Sequence, residues 1–257
     1  MEIENRIIVV TGAASGIGKA MAQRFAAKGA LKVIAVDINI EDAESTAKEI
    51  GGVAIKADVA CEADIKRVIQ DTEEKHGPID LFCSNAGIGL APNLDSDNKD
   101  WTLSWEVNVM AHVYAARHLV PRMIARGGGY FLNTASAAGL LNQPGGAAYG
   151  VTKHAAVGFS EWLALTYAHE GIGVSVLCPQ AVRTPMLDAG PASSAAGVDG
   201  LIEPEDVAKI VEEGLQEKRF LILPHPEVLE YVRRKAADYD RWIQGMNRLY
   251  RRVSNQL

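Results

Sequence analysis

Seven short runs rich in β-branched and other apolar residues recur along the chain, separated by stretches of helical period, and this alternation limits the fold more than any other feature. The runs are Ile7 to Val10, Val33 to Val36, Val53 to Ala57, Leu81 to Ser84, Tyr130 to Thr134, Val174 to Cys178 and Phe220 to Leu223. Helix-length segments start near Ile17, Glu41, Glu62, Ser104, Ala147 and Pro204. Pro204 suits a first helical turn, where its missing N–H would have had no partner. Strands this uniformly apolar are buried on both faces, so the pattern predicts an α/β chain with a seven-stranded parallel sheet and helices on both sides.

No repeat, charge block or polar linker divides the 257 residues, which predicts one domain over 1–257. At 48% hydrophobic and 23% charged residues the composition is that of a globular protein. A net charge of −6 argues against nucleic acid or an anionic membrane as the main partner, because both demand a basic surface, and favours a small molecule. No run approaches the roughly 18 apolar residues of a membrane span, and the charged start MEIENR lacks the apolar core of a secretory signal. Cys61, Cys83 and Cys178 are odd in number and lack CxxC or His spacing. They predict free thiols, no metal site and a reducing, cytoplasmic location. Two segments stand apart. Residues 185–202, rich in Gly, Ala, Ser and Pro, predict a lid loop. From about 226 to 253, apolar residues at steps of three and four predict one long amphipathic helix.

The first strand runs directly into TGAASGIG, Thr11 to Gly18, and then into a helix. Gly12, Gly16 and Gly18 allow a sharp turn and close approach to a pyrophosphate, which the amides of Ser15, Ile17 and the helix start would meet. Asp37 ends the second strand, where a carboxylate accepts from both adenosine ribose hydroxyls and repels a 2′-phosphate. With Ala13 and Ala14 in the turn instead of a basic residue, the expected cofactor is NAD. Asp58 and Val59 follow the third strand, and Asn85, Ala86 and Gly87 follow the fourth, at the edge where open α/β sheets bind ligands. Asp58 alone equally suits a turn or helix cap.

Tyr149 and Lys153, in YGVTK, lie one helical turn apart and project from one face. A YxxxK match arises by chance roughly 0.3 times in a chain of this composition, so the pair needs context. Tyr231 and Lys235 indeed form a second copy. Only the first has a serine, Ser136, 13 residues upstream and just past a strand, and the second is read as a surface helix pair.

Together TGAASGIG, Asp37, SNAG, Asn108, Ser136, YGVTK and PQAVRT resemble the short-chain dehydrogenase/reductase family, in order from about residue 5 to 184. The resemblance implies a doubly wound Rossmann fold, nicotinamide hydride transfer and a catalytic set of Asn108, Ser136, Tyr149 and Lys153. A tyrosine near pKa 10 holds its proton too tightly to act as base at neutral pH, and a nearby cation favours the phenolate, which assigns that task to Lys153. The resemblance further implies that Tyr149 and Lys153 touch the cofactor, that Ser136 and Tyr149 hold the substrate oxygen, that Asn108 supports a water path to Lys153, and that Thr184 meets the nicotinamide carboxamide. One position departs: the family commonly has Pro-Gly where this chain has Pro179-Gln180. Gln180 contacts substrate, narrows the pocket or only fills space.

The expected reaction is therefore NAD-dependent oxidation of a secondary alcohol, or the reverse. Leu90, Ala91, Pro92, Leu140, Leu141, Met186 and Leu187 favour a hydrophobic or bulky substrate. A dinucleotide-sensing regulator without turnover and an epimerase or dehydratase on the same fold are the rival readings. The tail packs either on the chain's own core or across a subunit contact of a homo-oligomer, dimer or tetramer. The histidines show no ligand spacing and are read as surface or core residues.

Overall fold

The computed structural model describes residues 1–90, 93–187 and 199–254. All seven expected strands form: β1 (Ile7–Thr11), β2 (Lys32–Asp37), β3 (Val53–Lys56), β4 (Leu81–Ser84), β5 (Gly129–Thr134), β6 (Ile172–Leu177) and β7 (Leu221–Ile222). They pair in parallel in the order β3-β2-β1-β4-β5-β6-β7. The order reverses between β1 and β4, which opens a crevice at the carboxyl edge there.

Alternate residues of one strand feed two cores. Ile8 and Val10 of β1 pack with Met21 and Phe25 of α1 (Gly16–Ala27) and with Val207, Val211 and Leu215 of α8 (Pro204–Gln216). Ile7 and Val9 face the opposite way, toward Ile65 and Val68 of α3 (Glu62–His76), Leu119 of α5 (Ala111–Ala125) and Leu163 of α7 (Ala147–Tyr167). This two-sided burial is the physical reason the strands read as unbroken apolar runs. Glu212 of α8, 4% exposed, is held by Arg24 at 2.5 Å and Lys28 at 2.9 Å, tying α8 to α1 with a charge that has two partners.

Helix ends follow local chemistry. Oδ1 of Asn39 accepts from the Asp42 amide at 3.4 Å to start α2 (Ile40–Ile50), and Gly51 stops it at φ 64°. The helix expected near Ser104 instead begins at Asn98, as α4 (Asn98–Trp105), and passes through a π-helical turn, Glu106–Met110, into α5. A short α6 (Ala138–Leu141) that periodicity did not reveal follows β5.

The single tail helix is corrected to two, α9 (Glu227–Ala237) and α10 (Tyr239–Ser254). Asp238 separates them in an extended conformation, its carboxylate accepting from the Arg241 amide at 2.9 Å and its carbonyl from the Trp242 amide at 3.0 Å. An Asp that caps the next helix stabilises a break where apolar spacing alone runs on. Of the expected lid, 188–198 lie outside the described residues, as do Ala91 and Pro92. The two ends of that segment are joined, with the Arg183 amide on the Ile202 carbonyl at 3.0 Å and the Ile202 amide on the Ala181 carbonyl at 3.3 Å. No described helix is long and apolar enough to cross a membrane.

Candidate active site

The glycine turn fits a dinucleotide phosphate on two independent grounds. Gly12 and Gly16 sit at φ 69° and 52°, and a Cβ on Gly18 would fall 2.0 Å from the Gly12 carbonyl oxygen, so the turn is closed to side chains. At α1, Ser15 gives no side-chain cap and the first turn holds no acid, whereas α2, α3 and α8 each carry two acids there. The amides of this helix start are thus left for an external anion, with Ile17 packed behind them on the core.

Asp37 lies beside the turn. Its Oδ2 accepts from the Ala14 amide at 3.0 Å and its Oδ1 from the Asn39 amide at 3.0 Å. A carboxylate has about four acceptor sites, so both oxygens retain capacity for hydroxyl donors. Asp58 uses Oδ1 on the Ala60 amide at 2.9 Å, the turn role its sequence position also allowed, and Val59 is buried in the core. Asn85 ties the crevice together: its Nδ2 donates to the Thr11 carbonyl at 3.0 Å and its Oδ1 accepts from the Thr134 hydroxyl at 3.0 Å. The amides of Asn85 and Ala86 both donate to Oγ1 of Thr11, at 2.9 and 3.0 Å. Thr184 stands over the turn, since a Cβ on Gly16 would lie 2.9 Å from its Cγ2. Two residues on, Met186 covers Gly89.

Tyr149, Lys153, Ser136 and Asn108 converge. Lys153, 4% exposed, donates through Nζ to the Thr134 carbonyl at 3.2 Å, with Nζ 5.7 Å from the centre of the Tyr149 ring. A Cβ on Gly87 would lie 3.2 Å from both Nζ of Lys153 and Oδ1 of Asn108, so glycine there lets the two side chains meet. The π-helical turn aims Asn108 inward. Its Oδ1 accepts from the Ile88 amide at 3.0 Å, and its Nδ2 donates to the Ile88 carbonyl at 3.1 Å and to Oγ1 of Thr152 at 3.2 Å. Ser136 accepts from the Ala138 amide at 3.1 Å and donates to the Pro179 carbonyl at 3.4 Å, a long bond that leaves its hydroxyl free to turn.

Burial pushes the Tyr149 phenol above its usual value, and the hydrogen bond with Ser136 pulls it partly back. Burial lowers Lys153 to about 8 and raises the neighbouring Cys178 thiol to about 12. Both members of the Tyr-Lys pair are thus driven toward their neutral forms, so each charge is best tolerated when the other is present. The three cysteines are free thiols, and no cluster of metal-binding side chains occurs among the described residues.

Three groups here escaped the sequence reading. Thr11 and Thr134 organise Asn85 and Lys153, and the threonine that opens TGAASGIG was the available signal for the first. His112, read only as a surface or core histidine, lies one turn beyond Asn108 and is buried; burial, then the Lys153 charge, lowers it to about 3, against the opposing pull of hydrogen bonding with Asn133 and the Asn108 backbone. The second YxxxK copy is not a free surface pair. The Tyr231 hydroxyl donates to Oδ1 of Asp199 at 2.9 Å, and Lys235 donates to the Leu140 carbonyl at 2.6 Å, fastening α9 to α6. Leu141 and Leu140 accordingly pack on Val228, Tyr231 and Trp242.

Comparison with known proteins follows the same lines. Residues 6–194 match the short chain dehydrogenase family model. The chain is 37% identical over 239 residues to a 1-deoxy-11-beta-hydroxypentalenate dehydrogenase of Streptomyces exfoliatus, covering 88% of this chain and 86% of the relative. It is 35% identical to a 2-(R)-hydroxypropyl-CoM dehydrogenase of Xanthobacter autotrophicus, over 71% of this chain and 76% of that one. A short-chain dehydrogenase/reductase from Burkholderia phymatum, solved with NAD, superposes with a TM-score of 0.85 at 30% identity, covering 93% of this chain and 96% of the other. A 3-ketoacyl-(acyl-carrier-protein) reductase from Brucella melitensis, solved with NADH, gives 0.79 at 31% identity over 86% and 97%. With the match spanning most of the chain and the fold agreeing throughout, the chain belongs to the short-chain dehydrogenase/reductase family.

Proposed function

We propose that this chain is an NAD-dependent oxidoreductase that moves hydride between nicotinamide and a secondary alcohol or its ketone, with a hydrophobic or bulky substrate. The observation that carries the reading is the convergence of Tyr149, Lys153, Ser136 and Asn108 beside a glycine turn closed to side chains. NAD, when bound, supplies the hydride acceptor. Gly12, Ser15, Gly16, Ile17 and Gly18 seat its phosphates, Asp37 its adenosine ribose, and Asp58, Val59, Asn85, Ala86, Gly87 and Thr184 line the remaining course.

Ser136 holds the substrate oxygen, and the Tyr149 phenolate takes the hydroxyl proton as the carbon gives up hydride. Lys153 keeps its ammonium close enough to offset the phenolate charge while its own hydrogen bond goes to Thr134. Asn108, fixed by Ile88 and Thr152, holds the turn through which water reaches Lys153. In reduction Tyr149 returns the proton. Leu90, Met186 and Leu187 present apolar surface toward the substrate, in line with a family that includes the pentalenate-type dehydrogenase.

The whole chain acts as one domain in a homo-oligomer, a dimer or tetramer, in a reducing, cytoplasmic setting. The oligomer draws support from apolar side chains left in water on α7, Leu165 being 84% exposed with Trp162 and Val151 also outward, and on α10, where Tyr239, Ile243 and Tyr250 are exposed. The test is formation of NADH over a panel of secondary alcohols, read at 340 nm. Absence of turnover with every alcohol and ketone, despite NAD binding, would leave the regulator reading.

A further inference from the structure

The place of the Ser136 oxygen is set by α6, the short helix that follows it. Its firm contact is the Ala138 amide at 3.1 Å, since the bond it makes to the Pro179 carbonyl is 3.4 Å long. Ala138 opens α6, and the Gly139 amide returns to the Ser136 carbonyl at 2.8 Å. Where α6 lies therefore decides where the hydroxyl lies. Yet α6 has only four residues, and a single turn fixes too many dihedrals for too few hydrogen bonds to persist without outside support.

That support comes from α9, which carries the second YxxxK copy. The Leu140 carbonyl would take its helical hydrogen bond from residue 144, which is Pro144 and has no N–H. Nζ of Lys235 supplies the missing donor at 2.6 Å. Lys19 and Lys28 are spent on carboxylates, whereas Lys235 has no carboxylate partner among the described residues. A cation at the carbonyl end of a helix also meets the negative pole of its dipole. One turn earlier on α9, Tyr231 packs with the buried Val228 on Ala137 and Leu141. The short helix is thus held at its end by a charge and along its side by apolar contact.

We propose that Lys235 is a positioning residue for Ser136: by completing the carbonyl end of α6 it fixes the Ala138 amide, and through that amide the hydroxyl that holds the substrate oxygen. The role of Ser136 rests on the oxidoreductase reading; the hold of Lys235 on α6 is measured apart from it.

The NAD-loaded, full-length protein is compared with Lys235→Met and Lys235→Gln, which remove the ammonium, and with Lys235→Arg, which keeps a cationic donor. Amide hydrogen exchange by NMR reads α6 directly. In the wild type the amides of Ala138, Gly139 and Leu141 are expected to exchange at least about 100-fold more slowly than open chain, and in Lys235→Met at least about tenfold faster than in the wild type. Turnover of the fastest alcohol in a secondary-alcohol panel reads the hydroxyl. Its kcat/KM is expected to fall about tenfold in Lys235→Met, with NAD affinity unchanged and Lys235→Arg within about threefold of wild type. In a Ser136→Ala background the same change is expected to lower kcat/KM less than about twofold, because a residue acting through Ser136 has no hydroxyl left to position. A merely structural lysine would lower both backgrounds alike, so equal losses overturn the positioning role. Open-chain exchange of the three amides in the wild type overturns it, as does exchange unaltered in both Lys235→Met and Lys235→Gln. Loss of NAD binding in both variants would mark a lysine needed by the whole fold and overturn it too. Faster α6 exchange with no turnover by any protein, wild type included, supports the hold on α6 while overturning the oxidoreductase reading.

Discussion

Nζ of Lys153 lies 5.7 Å from the centre of the Tyr149 ring yet donates its hydrogen bond to the Thr134 carbonyl at 3.2 Å. The ammonium thus lies beside the ring while its hydrogen bond is spent on the backbone. Burial disfavours both phenolate and ammonium, so each charge is best tolerated beside the other, and in the proposed mechanism the phenol exchanges a proton with substrate.

Tyr149→Phe keeps the ring and removes the oxygen. Turnover is expected to fall by about 10²–10⁴, the range for loss of a general acid-base, while the dissociation constant for NAD stays close to wild type. Steady-state kinetics with fluorescence titration of NAD separates the two effects. Near-normal turnover in Tyr149→Phe would remove Tyr149 from the chemistry.

Asp37 is proposed to govern cofactor choice. A 2′-phosphate beside its carboxylate meets repulsion, so NADP is expected to bind at least about tenfold more weakly than NAD, and Asp37→Ala to narrow the difference. Calorimetric titration of both cofactors decides; equal affinities in the wild type would take Asp37 out of the ribose site.

Gly18→Ala places a methyl 2.0 Å from the Gly12 carbonyl oxygen. Backbone must move to relieve that contact, so the variant is expected to lose about 1–3 kcal/mol of stability and most of its dinucleotide affinity. A thermal melt with and without NAD checks both, and an unchanged variant would show that the turn is looser than its geometry.

His112 predicts an acid sensitivity. Its pKa is lowered to about 3 in the fold against 6.5 as the unperturbed value. Between those values the unfolded chain holds the extra proton, so stability falls as pH drops from 7 toward 3. His112→Leu removes this linkage and is expected to lose about 3 kcal/mol less than wild type between pH 7 and pH 4 in urea denaturation. Parallel losses in the two proteins would place the proton uptake elsewhere.

The last helix is testable by itself. Val228 of α9 is fully buried against Ala137 and Leu141, whereas α10 leaves Tyr239, Ile243 and Tyr250 exposed. A chain ending at Ala237 is expected to remain folded and to change its mass in solution or its range of alcohols, as light scattering and the NADH assay report. If neither changes, α10 serves only its own chain.

Much of this protein was determined by the sequence alone, because strand and helix are local. Alternation of Ile7 and Val9 with Ile8 and Val10 needs two cores wherever the chain goes, and the glycine spacing of Thr11 to Gly18 demands a turn that no side chain can enter. Tyr149 and Lys153 share a helix face by spacing, and Ser136 falls at a strand end by the same arithmetic. Only tertiary structure decided the rest. The π-helical turn that points Asn108 at Ile88 depends on a partner 20 residues away, and Gln180 and His225 meet across 45 residues. Periodicity carries no information about such distant pairs. The break at Asp238 went unread because apolar spacing continued through it, while the energy that ends a helix resides in one carboxylate and two amide contacts. The burial of the His112 ring exists only once surrounding elements have excluded water, so packing decides it and composition does not.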